Sequence, residues 1–259
     1  MSTVIAISNQ KGGVAKTTTC VSLGAALVEQ NHEVLVIDLD PQANLSLALG
    51  VNPAGLRRTV ADVLLGNYTP VSVSRETVMP GLDLMPANQD MQLVEKFLYV
   101  RQDYEHTLRK ALMQTSPYEV VLCDCPPSLG AITVNALTAA DLLLIPTQCE
   151  YFSAHGLNEV LDFVRNIRER TNPHLSYRLL ITMFDRRNRV HRSIYEQIKT
   201  AFGEAVLETT IEIDTKLRES PVFGQPITSY APNSRAAQQY RALAEELMRH
   251  AQQKTTQPA

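Results

Sequence analysis

The feature that most restricts this chain is a glycine-bearing segment between an apolar strand and a helix, "AISNQKGGVAKTTTCVSL" at 6–23. Apolar residues fill 4–8 before it, and a helical pattern begins near Thr17 after it. A loop in that setting offers backbone N–H groups at the positive end of a helix, a geometry suited to phosphate. The ordinary phosphate-binding pattern reads G-x-x-x-x-G-K-[ST]. Counting back from Lys16 and Thr17 puts its two glycines at Gln10 and Ala15. Here the glycines stand together as Gly12 and Gly13, and an extra lysine, Lys11, precedes them. A pair of glycines before a helix can be a mere turn. Gly-Gly-x-x-Lys-Thr-Thr between a buried strand and a helix favours a phosphate site over that turn.

Apolar runs of strand length alternate with helical patterns along the rest of the chain. "VIAIS" (4–8), "EVLVID" (33–38), "YEVVLCD" (118–124), "DLLLIP" (141–146), "YRLLITMF" (177–184) and "AVLETTI" (205–211) read as strands. Continuous Val/Ile/Leu strands between helices mark a buried sheet covered on both faces. The expected fold class is α/β, a doubly wound, mainly parallel sheet with helices on both faces. Residues 51–116 are less regular. No stretch is long and polar enough to divide the chain, and there is no internal repeat. Residues 1–251 therefore read as one domain, and "QQKTTQPA" (252–259) as a flexible tail.

Composition narrows the function classes. A hydrophobic content of 44% supports a full core. With a net charge of −3, any nucleic-acid contact must come from a local basic patch. The absence of tryptophan argues against a stacking platform for single strands. The four cysteines, Cys20, Cys123, Cys125 and Cys149, form no C-x-x-C pair, so they read as small buried residues rather than a metal set. The N-terminus has no signal-peptide layout, and no apolar run is long enough to span a bilayer. A soluble, intracellular protein is expected.

In a doubly wound sheet, ligands bind at the carboxyl ends of the strands. Three strand ends carry matching chemistry. At the first, N–H groups from Gly12, Gly13, Val14, Ala15, Lys16 and Thr17 can surround phosphate oxygens. Lys16 would neutralise β- and γ-phosphate charge, and the Thr17 hydroxyl would reach a magnesium ion. At the second, "VIDLDPQAN" (36–44), Asp40 could position a water for attack on the γ-phosphate, although Asp-Pro also caps ordinary turns. At the third, "VVLCDCPPSLG" (120–130), Asp124 is placed to act on magnesium through water.

These motifs resemble those of the ParA/MinD-type ATPases, P-loop proteins with a deviant Walker A loop, and most of all the short chromosomal ParA proteins called Soj. "NQKGGVAKTTT" is similar to that loop, and "DLDPQAN", "DCPPSLG" and "PTQCEYFSAHGL" (146–157) to the family's switch regions and the strand that follows. "RESPVFGQPI" (218–227) and "YAPNSRAAQQYRALAEEL" (230–247) extend the similarity to the C-terminal part. The resemblance implies ATP and magnesium as cofactors and a homodimer that sandwiches two ATP molecules. It assigns nucleotide binding to residues 11–18, Thr18 included, and makes Lys11 reach across the interface to the partner's phosphates. Catalysis would rest on Lys11, Lys16 and Asp40. Two positions depart from the pattern. Ala15 stands where glycine is usual, and Glu212 where proline is common, which leaves the base contacts unassigned.

"FDRRNRVHRSIYEQI" (184–198) concentrates arginines. Such a run is usually a solvated helix face. The resemblance instead implies non-specific binding of double-stranded DNA by the ATP dimer, with Arg187, Arg189 and Lys216 as the contacts; Arg218 is added to them from outside the family pattern. Roughly six to eight phosphate contacts per dimer would make binding fall about a thousandfold between about 50 and 200 mM salt. The chain starts at its first strand, so sequence-specific operator binding is not expected. The implied role is chromosome or plasmid partitioning in the cytoplasm, on the nucleoid, with a ParB-type partner that stimulates slow hydrolysis. Positioning of a protein cargo is a close variant. A MinD-like membrane switch would need an apolar face on the last helix, whose stripe of Ala237, Tyr240, Leu243, Ala244, Leu247 and Met248 reads better as packing on the body, so no stable membrane anchor is expected. An electron-transferring or metal-trafficking relative would need interfacial cysteines that do not match Cys123 and Cys125.

Overall fold

The computed structural model describes residues 2–113, 118–150 and 153–256, with the backbone alone for 153–156 and 252–256. Eight strands form one sheet: β1 (Thr3–Ile7), β2 (Val34–Asp38), β3 (Arg75–Glu76), β4 (Leu82–Met85), β5 (Val120–Asp124), β6 (Leu142–Gln148), β7 (Ser176–Phe184) and β8 (Val206–Glu212). Their order is β3-β4-β2-β5-β1-β6-β7-β8. Every neighbouring pair is parallel except β3 with β4 at the edge. Side chains alternate across the sheet: Val4 and Ala6 enter one core, Ile5 and Ile7 the other, and β2 divides in the same way. Both cores are covered by helices, which is why the strands read as unbroken apolar runs.

The six expected strands are all present. The irregular segment 51–116 supplies the two that the sequence did not reveal. Strand β3 is two exposed residues, and β4 is four residues beginning directly after the turn at Gly81. Neither is long enough to establish a period.

Helix α1 (Lys16–Glu29) follows the glycine-bearing loop and is buried along most of its length. It lies between the sheet and the C-terminal helix, Arg235–Thr256. A helix enclosed on two sides is apolar all round, and "CVSLGAAL" has that character. Gly24 permits the close approach, because a Cβ there would meet Leu82 Cδ1 and Val36 Cγ1 at 3.0 Å. On the C-terminal helix, Ala237, Tyr240, Leu243, Ala244 and Leu247 are buried and Met248 is partly so. That stripe packs on the body of the protein. The helix continues to Thr256, into the stretch expected to be a tail; no breaker precedes Pro258, and 257–259 lie outside the described residues. Among the described residues, no helix is long and apolar enough to cross a membrane.

Candidate nucleotide site

The loop after β1 is pinned from the ends of the neighbouring strands. Asn9 is buried, donates from Nδ2 to the Pro146 carbonyl at 2.7 Å, and accepts the Lys11 N–H on Oδ1 at 3.0 Å. Gln148 Nε2 donates to the Gly13 carbonyl at 3.1 Å, and Thr182 Oγ1 donates to the Val14 carbonyl at 3.1 Å. In a planar trans peptide the N–H opposes the carbonyl. With the carbonyls of Gly13 and Val14 drawn toward β6 and β7, the N–H groups of Val14 and Ala15 point away from those strands. The Val14 side chain is itself buried, so its contribution comes through the backbone.

Two residues of this loop are left-handed, Gly13 at φ 73° and Ala15 at φ 70°. Ala15 occupies the N-cap of α1 in that conformation, with ψ 33°. Glycine would adopt it freely. An alanine there costs about 1–2 kcal/mol in backbone sterics. Ala15→Gly removes that cost but restores unfolded-state freedom worth about 0.4–1 kcal/mol, so its stability should exceed wild type by about 0–1.6 kcal/mol. Ala15→Val adds a branched Cβ to a left-handed position and should melt several degrees lower, at about 2–4 °C per kcal/mol for a chain of this size. Thermal melts of the two variants check this. Equal melting points for Val and Gly would show that the loop escapes the left-handed conformation.

Beyond the loop opens a cavity of about 850 Å³, with Lys16, Thr17, Asp40, Gln92, Glu95 and Ser128 on its walls. That is the size of a site for a nucleotide. Lys16 is buried and donates from Nζ to the Lys11 carbonyl at 3.2 Å. Burial lowers its pKa, against the opposing pull of Asp124 and Asp40. Asp40 is half-buried at the cavity wall, where its Oδ1 accepts the Gln42 N–H at 2.9 Å. The expected turn-capping contact and the cavity position therefore coexist in one side chain.

Asp38 and Asp124 face each other in register at the ends of β2 and β5. Both are buried. Burial pushes Asp38 up to about 6, while bonds from the Ser46 hydroxyl and N–H resist the shift. Burial and then the Asp38 charge push Asp124 well above the ordinary carboxylate range. Thr17 Oγ1 donates to Asp124 Oδ2 at 2.6 Å, and the buried Asp124 Oδ1 has no hydrogen-bond partner. Two enclosed acids, an orphaned oxygen and a hydroxyl at the cavity floor fit a hard divalent cation. Among the described residues no cluster of three or more His, Cys, Asp or Glu could hold a metal unaided. Magnesium there would be held by the Thr17 hydroxyl, by Asp124 through water, and by phosphate oxygens. The four cysteines are all free and buried.

Lys11 behaves differently from the rest of the loop. Its Nζ points to the end of β6, meeting Glu150 at 2.6 Å and Gln148 Oε1 at 3.2 Å, and it is absent from the walls of the large cavity. Tyr151 and Phe152, in the adjoining motif, lie outside the described residues.

The basic positions gather where β7 and β8 end. Arg187 is exposed and paired with Asp185 at 3.3 Å, Lys216 is paired with Glu219 at 2.8 Å, and Arg189 and Arg218 are exposed. A small cavity joins this face to the phosphate loop, since Ala15 and Thr18 share its wall with Arg218 and Glu212.

A family model described as an AAA domain matches residues 2–177. The chain is 40% identical to the chromosome partitioning protein ParA of Caulobacter vibrioides, over 95% of this chain and 93% of that one. The chain belongs to the ParA family of ATPases. Family members include the sporulation initiation inhibitor protein Soj of Bacillus subtilis, 39% identical over 95% of this chain and 98% of that one. A solved structure described as cobyrinic acid a,c-diamide synthase of Mycobacterium smegmatis, with an ATP analogue and magnesium bound, is 36% identical. It superposes with a TM-score of 0.87 over 100% of this chain and 99% of that one.

Asn9, Ser46, Gln148 and Thr182 support the site and went unnoticed in the sequence. Gln148 and Thr182 touch the loop across more than a hundred residues of chain. Only the repeated strand-end position could have singled them out.

Proposed function

We propose that this chain is a partitioning ATPase that binds duplex DNA non-specifically when ATP is bound and releases it after hydrolysis. The observation that carries the reading is the small cavity shared by Ala15 and Thr18 of the phosphate loop and Arg218 of the basic face. Phosphates that draw the loop inward act on the packing beneath Arg218, which ties nucleotide state to DNA affinity. The active form is a homodimer with two ATP molecules between the subunits, in which the basic face is doubled.

Hydrolysis proceeds by in-line attack of water on the γ-phosphate. Asp40 orients the water, and Lys16 stabilises charge on the transferring group. Magnesium, when bound, neutralises β- and γ-phosphate charge. Lys11 completes the site of the opposite subunit. A ParB-type partner accelerates this slow turnover and sets the lifetime of the DNA-bound dimer on the nucleoid. A MinD-like membrane switch is disfavoured, because the apolar stripe of the last helix is already buried against α1 and β8.

The test is binding to random-sequence duplex DNA, followed by fluorescence anisotropy with Mg-ATP and with Mg-ADP. Salt-sensitive binding with ATP alone, weakened in Arg187→Ala, is expected. Equal binding with both nucleotides would overturn the switch.

A further inference from the structure

Beside the four expected DNA contacts lies a second cationic element built around an enclosed acid. Glu212, at the end of β8, has a side chain only 11% exposed, and each of its oxygens meets a guanidinium. Arg186 Nε reaches Oε1 at 2.8 Å, and Arg235 Nη1 reaches Oε2 at 2.9 Å. The two arginines arrive from separate elements, the loop after β7 and the first residue of the C-terminal helix. Their own side chains are 66% and 54% exposed. Gln239 fixes the acid in place: its Oε1 accepts the Glu212 N–H at 3.0 Å, and its Nε2 donates to Glu212 Oε1 at 3.1 Å. Arg235 Nη2 also donates to the Ile213 carbonyl at 2.8 Å.

We propose that Arg186 and Arg235, set by Glu212, form a two-pronged clamp for a backbone phosphate of duplex DNA. This inference rests on the DNA-binding reading above and extends it to residues outside the expected set. An arginine carries five N–H donors in a planar fork, so a bond to Glu212 leaves others directed to solvent. An ordinary exposed ion pair would fix little. Here one enclosed carboxylate is shared by two arginines and braced by Gln239, so both guanidinium groups are held before a ligand arrives. Pre-organisation reduces the side-chain freedom lost on binding. Two cations on one acid leave the group positive. Arg186 is also the immediate neighbour of Arg187, so a duplex on the expected face passes the clamp.

The experiment titrates random-sequence duplex with the full chain in Mg-ATP, from about 50 to 200 mM salt, for wild type, Arg187→Ala, Arg186→Ala and Arg235→Ala. Loss of one contact per subunit should lower the salt slope by roughly two for the dimer, and each clamp variant should bind about tenfold more weakly at mid-range salt. Arg235→Lys keeps the charge without the fork and should fall between wild type and alanine. Wild-type affinity and slope in Arg186→Ala and Arg235→Ala, beside a weakened Arg187→Ala, would remove the clamp and leave the DNA face standing. No binding by wild type would instead remove the DNA reading, and the clamp with it. Light scattering with ATP checks that each variant dimerises. Where an alanine variant does not, its lysine counterpart is judged by the same slope: an unchanged slope and affinity overturns the clamp.

Discussion

Replacing Lys16 by methionine should reduce ATP turnover at least a hundredfold while leaving the ligand-free protein within about 1 kcal/mol of wild-type stability. The two halves of that expectation have one cause. The Lys16 ammonium is buried, and burial outweighs the attraction of Asp124 and Asp40, so its pKa is lowered. A base that holds its proton less tightly when folded costs stability at every pH below its folded pKa. That cost fades as pH rises from the folded pKa to the unfolded value, about 10.4. Methionine keeps the apolar stem and removes the charge, which offsets loss of the bond to the Lys11 carbonyl. Triphosphate reverses the sign of the interaction, because the ammonium then faces concentrated negative charge in a site with little water. Wild type in Mg-ATP at a hundred times its Kd should gain about 2.7 kcal/mol, which is roughly 5–11 °C in melting temperature. Lys16→Met should show no such gain. Thermal melts with and without Mg-ATP, beside a phosphate-release assay, read both halves. A variant that melts far below wild type without nucleotide would mean that Lys16 holds the fold and not the phosphate.

The same contrast between local and distant causes explains what could be read from the sequence. Five strands were legible because each carries an apolar run buried on both sides, and edge strand β8 because Val206, Leu207 and Ile211 stay buried around its exposed Glu208. Lys16, Thr17, Asp40 and Asp124 were legible because each sits next to a strand end, and chain order alone puts strand ends of a parallel sheet on one side. The short strands β3 and β4 were not, because two and four residues carry no period. Ala15 was marked as a departure by its residue type, whereas its left-handed backbone is visible only in the fold. The partners of Lys11 and the clamp on Glu212 were also hidden. Lys11 meets Glu150 across 139 positions of chain, and Glu212 joins two arginines from elements on either side of it in sequence. A run of charge announces cations. It does not say which of them an enclosed acid will hold.

Removing Lys11 should leave nucleotide binding by the single chain nearly intact and abolish ATP-dependent dimerisation. The expectation follows from where the side chain points. Lys11 does not line the large cavity of its own chain; it pairs with Glu150 at 2.6 Å, with the two side chains 42% and 54% exposed. A pair that open is worth about 0–1 kcal/mol, so breaking it is a small obstacle. A lysine brought against phosphate inside a closed interface is worth more, about 2–5 kcal/mol when one member of such a pair is removed. Two-fold symmetry supplies the contact twice, so the lysine's transfer from Glu150 to the partner's phosphate is favourable, and its loss should weaken the dimer roughly a thousandfold or more. Turnover would otherwise deplete the dimer during the measurement, so the comparison is made in an Asp40→Ala background, where the loss of water orientation should slow hydrolysis at least a hundredfold. Asp40→Ala alone should accumulate as an ATP dimer by light scattering. Asp40→Ala with Lys11→Ala should remain monomeric while binding a fluorescent ATP analogue about as tightly as the single variant. A double variant that still dimerises on ATP would confine Lys11 to its own subunit, with Glu150 as its structural partner. Hydrolysis at the wild-type rate in Asp40→Ala would move the water-orienting role to another group on the cavity wall, and Glu95 is the carboxylate that lies there.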